Sequence, residues 1–186
     1  DAIYFSKRVT RAVPDGGPIE AHTDLVKKLD YECELAVVLG RDARDVPAGQ
    51  TRDYIFGYTI LNDVSARDVQ TAHKQWYFGK SLDGFTPIGP CIVTADAFAD
   101  YPPRLGIRSF VNGEKRQDSN TALQIFDIDH VIAELSQGMT LKAGTIIATG
   151  TPAGVGMGMD PPQFLKPGDV VRCEIDGIGT LTNPVK

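Results

Sequence analysis

Cysteine is scarce and unpaired here: Cys33, Cys91 and Cys173 are the only three among 186 residues. They show no metal-ligand spacing, and an odd number leaves one over in any pairing. A disulfide-framed extracellular module is therefore excluded, and a reducing cytoplasm is the expected home. No apolar run approaches the ~20 residues that cross a bilayer. The opening Ala2-Ile3-Tyr4-Phe5 is cut short by Lys7 and Arg8, too early for a signal-peptide core, so no membrane partner is expected. Blocks of Lys and Arg are missing too. With 19 basic against 24 acidic residues the net charge is −5, and without a positive patch nucleic acid is not an expected partner. Internal repeats and low-complexity tracts are absent.

What is present is an ordinary globular composition, 42% hydrophobic and 23% charged. The length suits a single domain spanning 1–186. The first residue is Asp1, not Met, and the expectation is that an upstream segment is missing.

Strand patterns joined by Gly/Pro turns dominate the chain. Ile3–Phe5, Cys33–Leu39, Tyr54–Leu61, Ile88–Thr94, Ile107–Val111, Thr145–Ala148, Val170–Ile175 and Thr180–Leu181 read as strands. Asn112-Gly113 signals a hairpin turn. A polar helix is expected from about Val64 to Trp76, and a second over Asp129–Ser136, where Val131, Ile132 and Leu135 have helical spacing. Strands outnumber helices without regular alternation. The class is α+β with a large mixed sheet, which argues against a doubly wound nucleotide fold.

The segment Asp30-Tyr31-Glu32-Cys33-Glu34-Leu35-Ala36-Val37-Val38-Leu39-Gly40 carries the first chemical signal. Residues two apart on a strand share a face, so Glu32 and Glu34 point the same way, their Cα atoms roughly 7 Å apart. Two like charges leading into an apolar strand are costly unless neutralised. Either this is a solvated acidic strand edge, or a dication lies between the carboxylates; an oxygen-only donor set suits hard metals better than zinc. Asp63 follows a strand and precedes a helix, so it is either a helix N-cap or a third member of the acidic set. Arg67, Gln70 and Lys74, at helical spacing, would share one face. An arginine in a first helical turn opposes the helix dipole, and a nearby carboxylate explains it better. Lys80 stands in a turn-rich loop, Gly79–Phe85. Thr149–Gly156 is a Gly-rich loop that allows close backbone approach to a ligand, but it lacks the Lys-Ser/Thr ending of a phosphate-binding P-loop.

Six stretches in order, DYECELAVVLG (30–40), GYTILNDVSARDVQ (57–70), GKSLDGFTPIGP (79–90), VNGEKRQ (111–117), TGTPAGVG (149–156) and LKPGDV (165–170), resemble the fumarylacetoacetate hydrolase family from Ile3 to Pro184. The resemblance implies a mixed β-sheet roll of the family's C-terminal catalytic type, a homodimer, and Mg²⁺ or Mn²⁺, with Ca²⁺ as a substitute. It implies Glu32, Glu34 and Asp63 as metal ligands. Arg67 and Gln70 are implied as substrate contacts, Lys80 as the lysine that neutralises developing negative charge, and Thr151 as the substrate-carboxylate contact. A His and a nearby Glu, in a lid upstream of the Glu-x-Glu pair, act as general base in smaller members. His22 does not match that motif, and the chain begins after it. His73 and His130 are expected to be packing or surface residues. The activity implied is carbon–carbon bond hydrolysis of a small acylpyruvate-type 2-oxo acid. Isomerisation of 2-hydroxyhepta-2,4-diene-1,7-dioate or decarboxylation of oxaloacetate, which share the enolate, are the alternatives. A relative that binds metal and 2-oxo acids without turning them over is the reading from another class.

Overall fold

A computed structural model describes residues 1–186. Its strands are β1 (Leu29–Asp30), β2 (Cys33–Leu39), β3 (Ile55–Asn62), β4 (Ser65–Ala66), β5 (Ile88–Thr94), β6 (Gly106–Val111), β7 (Glu114–Asn120), β8 (Ile146–Ala148), β9 (Val170–Ile175) and β10 (Gly179–Pro184). The helices are α1 (Arg67–Ala72), α2 (Tyr77–Lys80) and α3 (Ile128–Leu135). Two four-stranded sheets, in orders β5-β3-β2-β8 and β10-β9-β6-β7, form the body, with β1 and β4 as a separate pair. The ladders are antiparallel; parallel pairing is confined to the isolated bridges Val13↔Pro87 and Ile19↔Val185, which tie the leading segment to the roll.

Burial explains the central strands. All seven residues of β2 are buried, because this strand lies inside one sheet and faces the other. Such a strand reads as a continuous apolar run rather than an alternating one. A core of 31 buried residues lies between the sheets, with Leu35, Val37 and Ile60 from one and Ile107, Val171 and Ile175 from the other. That core also includes Ile128 and Ile132, which α3 contributes from outside the sheets. The Asn112-Gly113 turn has φ of 52° and 83°, the doubly positive geometry that an antiparallel hairpin favours.

Two local expectations are corrected. Ile3–Phe5 pairs with no strand; it lies against Lys80, whose Nζ is 5.3 Å from the centroid of the Phe5 ring. The helix expected over residues 64–76 is shorter: α1 covers only Arg67–Ala72, and α2 begins beyond that range at Tyr77. Ser65 and Ala66 are drawn into pairing with Asp30 and Leu29, so α1 cannot begin before Arg67. Lys74, with φ of 57°, lies beyond the end of α1 and does not join the face of Arg67 and Gln70.

Candidate metal centre

The register of β2 against β3 builds the centre. Cys33 pairs with Asn62, placing Glu32 beside Asp63 at the same end of the two strands. The Asp63 N–H donates to the Glu32 carbonyl at 2.8 Å, and the Glu32 N–H donates to the Asn62 side chain at 2.9 Å. Glu34, one pleat further along, turns to the same face. One carboxylate oxygen from each of Glu32, Glu34 and Asp63 can be chosen so that all lie within 4.8 Å of one another, and all three residues are buried. Asp63 is not the helix cap, since the N-cap of α1 is Ala66; both its carboxylate oxygens go to cations.

Three cations surround the acids. Lys80 Nζ bridges Glu32 Oε2 at 2.7 Å and Asp63 Oδ2 at 2.6 Å. Arg67 places Nη1 2.6 Å from Glu32 Oε1 and Nε 2.9 Å from Asp30 Oδ2. Lys7 Nζ stands 2.6 Å from Asp63 Oδ1. Glu34 has no ion pair and accepts one hydrogen bond, from Gly150 N–H at 2.8 Å.

The titration directions follow. Burial, and then the neighbouring Asp63 and Glu32 charges, push the Glu34 carboxyl well above the usual carboxylate range. Burial also pushes Asp63 up, but the Lys7 and Lys80 ammoniums outweigh it and hold the carboxyl below that range. For Lys80, the downward push of burial is overcome by Asp63 and Glu32, and its ammonium is held above the ordinary lysine value. For Lys7 burial dominates and the value falls.

This donor set fits a hard divalent cation. Its donors are all carboxylate oxygens, they converge, and Glu34 lacks a compensating positive charge.

Each residue singled out in the sequence has a definite place. Arg67, Gln70 and Lys80 are buried beside the acidic set. The Gln70 Oε1 accepts from Arg67 Nη1 at 3.2 Å. Thr151 lies in the same cleft as Glu34 and Asp63, but its hydroxyl already donates to the Cys33 carbonyl at 3.0 Å and accepts from Gln117 Nε2 at 2.8 Å. Its backbone N–H has no protein acceptor. His22 is remote: its ring contacts the Asp83 carbonyl and Phe85. His73 follows the end of α1, and His130 faces Glu134 on α3.

Two participants escaped the sequence reading. Lys7 stands alone in an unpatterned extended segment, 56 positions from its partner. Asp30 opens the acidic motif but looks like one more surface acid until its burial is seen. The cleft lined by Glu34, Asp63 and Lys7 is about 1070 Å³ and is walled mainly by apolar side chains.

A roll of antiparallel sheets with a buried, cation-flanked carboxylate trio at one end of its central strands defines a class of site; comparison with known proteins gives the family. Residues 1–186 match the family model described as fumarylacetoacetate (FAA) hydrolase C-terminal. The chain belongs to the fumarylacetoacetate hydrolase family. It is 46% identical over 183 residues to oxaloacetate tautomerase YisK of Bacillus subtilis, a match covering 98% of this chain and 60% of that protein. A fumarylacetoacetate hydrolase from the psychrophilic Exiguobacterium antarcticum has a similar structure, with TM-score 0.90 at 51% identity, covering 93% of this chain and 62% of that one. A 2-hydroxyhepta-2,4-diene-1,7-dioate isomerase from Mycobacterium marinum gives TM-score 0.81 at 44% identity, covering 92% and 64%. The chain spans about 60% of the length of the curated relatives it matches. No helix is long and apolar enough to cross a membrane.

Proposed function

We propose that this chain is the catalytic unit of a divalent-metal enzyme that interconverts the keto and enol forms of a small 2-oxo acid, with oxaloacetate as the model substrate. The observation that carries the reading is the buried trio Glu32, Glu34 and Asp63 with Lys80 and Arg67 in direct contact. Glu32, Glu34 and Asp63 would hold Mg²⁺ or Mn²⁺, which when bound supplies Lewis-acid polarisation of the substrate's 2-keto oxygen. The chain's own residues do the rest. Lys80, kept protonated by Asp63 and Glu32, holds positive charge where negative charge gathers as the enolate forms. Arg67 adds a second fixed cation; each is worth roughly 3 kcal/mol at the transition state. The NH₂ group of Gln70, whose oxygen is taken by Arg67, and the unpaired Thr151 N–H would orient the carboxylate, and the apolar walls would limit water.

Tautomerisation needs only that a proton leave the enol oxygen and another arrive at C3, so enolate stabilisation is most of the task. A relative named as an oxaloacetate tautomerase at 46% identity supports this reading. Hydrolysis of an acylpyruvate, the activity first expected from the sequence, is the second reading; it is favoured by the hydrolase of similar structure at 51% identity and additionally needs an activated water. A homodimer belongs to the same proposal, with the exposed Leu123 and Ile125 as surface for a second copy.

The test is ultraviolet decay of enol-oxaloacetate with Mg²⁺ or Mn²⁺, run beside decay of an acylpyruvate. Faster enol loss with acylpyruvate intact supports tautomerisation. Acylpyruvate cleavage alone selects the second reading, and inertness towards both removes the enzymatic claim.

A further inference from the structure

Asp30 is fully buried, with a relative exposure of 0%, yet it is not one of the three converging carboxylates. Its two oxygens accept four hydrogen bonds. Oδ1 takes the N–H groups of Tyr31 at 2.9 Å and Gly156 at 2.7 Å. Oδ2 takes the Met157 N–H at 2.9 Å and Arg67 Nε at 2.9 Å. A buried carboxylate so completely paired is stabilised, whereas losing its partners would leave a costly buried charge. The neighbouring Tyr31 hydroxyl donates to the Gly154 carbonyl at 2.8 Å. These two residues therefore hold the 154–157 part of the Gly-rich loop, while Gln117 holds its other end at Thr151 and Pro152.

The loop is shaped to be held this closely. A Cβ at Gly156 would stand 2.8 Å from Asp30 Oδ1 and 2.0 Å from the Gln163 carbonyl oxygen. At Gly154, where φ is +107°, a Cβ would meet the Arg116 carbonyl oxygen at 2.1 Å. Only glycine permits the approach. From the loop a continuous path of contacts runs through Asp30 to Arg67 and on to Glu32.

We propose that Asp30 and Tyr31 are positioning residues that clamp the Gly-rich loop to Arg67, fixing the spacing between that cation and the loop whose free Thr151 N–H would orient the substrate carboxylate. The inference rests on the functional reading above and adds how the anion subsite is kept in register. Neither side chain touches a carboxylate of the metal trio directly, and Asp30 reaches Glu32 only through Arg67, so the clamp acts more on anion binding than on cation binding.

The test is calorimetry with Mn²⁺ alone and then with oxalate, an unreactive 2-oxo-acid mimic, on the Mn²⁺-loaded protein. Asp30→Asn keeps the shape but turns an NH₂ group towards N–H donors. It should bind Mn²⁺ within about threefold of the wild type and oxalate about 10–100-fold more weakly, the range seen when supporting partners of a site are removed. Tyr31→Phe loses a single hydrogen bond from an otherwise unchanged core side chain. Its oxalate affinity should fall about threefold, as expected for the ~0.5–1.5 kcal/mol of one hydrogen bond, with Mn²⁺ binding unchanged. A purely structural role would lower thermal stability without separating the two affinities. If Asp30→Asn does not fold, Tyr31→Phe decides. Wild-type oxalate affinity in the folded variants overturns the clamp alone, whereas a wild type that binds Mn²⁺ but no oxalate overturns the functional reading and the clamp with it.

Discussion

Replacing Lys80 with Met should produce the largest single loss among the site's cations, and a loss that a metal ion partly reverses. The Lys80 side chain is 2% exposed, and Nζ lies 2.7 Å from Glu32 and 2.6 Å from Asp63. At an effective dielectric of 20 each contact is worth about 6 kcal/mol of gross attraction. Desolvation of the ammonium offsets much of that, and breaking a buried pair from one side costs about 3–5 kcal/mol net. For a domain of this size each kcal/mol moves the melting temperature by roughly 2–4 °C, so Lys80→Met should melt roughly 10 °C below the wild type without metal. Saturating Mn²⁺ should return part of the difference, because a dication replaces the missing counter-charge by mass action. Turnover should stay about 10²–10³-fold down even with metal, since the lost charge also acts on the enolate. Urea unfolding with and without Mn²⁺, plus a rate measurement, gives all three numbers. A destabilisation below about 1 kcal/mol, or one that Mn²⁺ leaves untouched, would refute the view that Lys80 neutralises these ligands.

The Glu34 carboxyl, held well above its usual range by burial and by Asp63 and Glu32, gives dication binding a definite sign with pH. The ion must displace a proton, so affinity should climb with pH by up to about tenfold per unit while Glu34 is protonated; calorimetry in buffers of different ionisation enthalpy should register that proton, and falling affinity with pH would contradict it. Gly79→Ala would set a Cβ 2.5 Å from the Gln70 backbone nitrogen. Forcing α2 from α1 should cost about 1–3 kcal/mol and lower kcat more than tenfold, against which unchanged kinetics would count. His22→Ala should leave kcat/KM within about twofold, because that ring contacts Asp83 and Phe85 and no residue of the centre. Sedimentation should show a dimer that Ile125→Asp, at a position 92% exposed, dissociates; a dimer indifferent to this charge places the interface elsewhere.

How far the sequence carried this account depends on the range of each signal. The shared face of Glu32 and Glu34 was legible because strand period two is local; the position of Asp63, after a strand and before a helix, suggested an N-cap as readily as a third acid, and only the ordered motifs joined it to the pair. Arg67, whose place in a first helical turn calls for a nearby carboxylate, meets two, in Glu32 and Asp30. The six ordered motifs added the family and, with it, the fold. The illegible parts are tertiary. Lys7 reaches Asp63 across 56 positions from a segment without pattern. Asp30 is distinguished only by burial and by four donors from three parts of the chain. The misplaced helix start has the same origin, since Ser65 and Ala66 follow helix-like local cues until β1 claims them for pairing. Thr151 was found in the right cleft, but its hydroxyl is occupied by Cys33 and Gln117, which no spacing could reveal.

The measurement that bears most directly on the centre is a Mn²⁺ titration of the wild type and of Asp63→Ala, followed by calorimetry or by loss of the free-ion paramagnetic signal. The wild type should take up one ion per chain. The variant, which retains Glu32 and Glu34, should bind it at least about 100-fold more weakly, close to 2.7 kcal/mol. No saturable uptake by the wild type, or equal affinity in the variant, would contradict a cation held jointly by these three carboxylates.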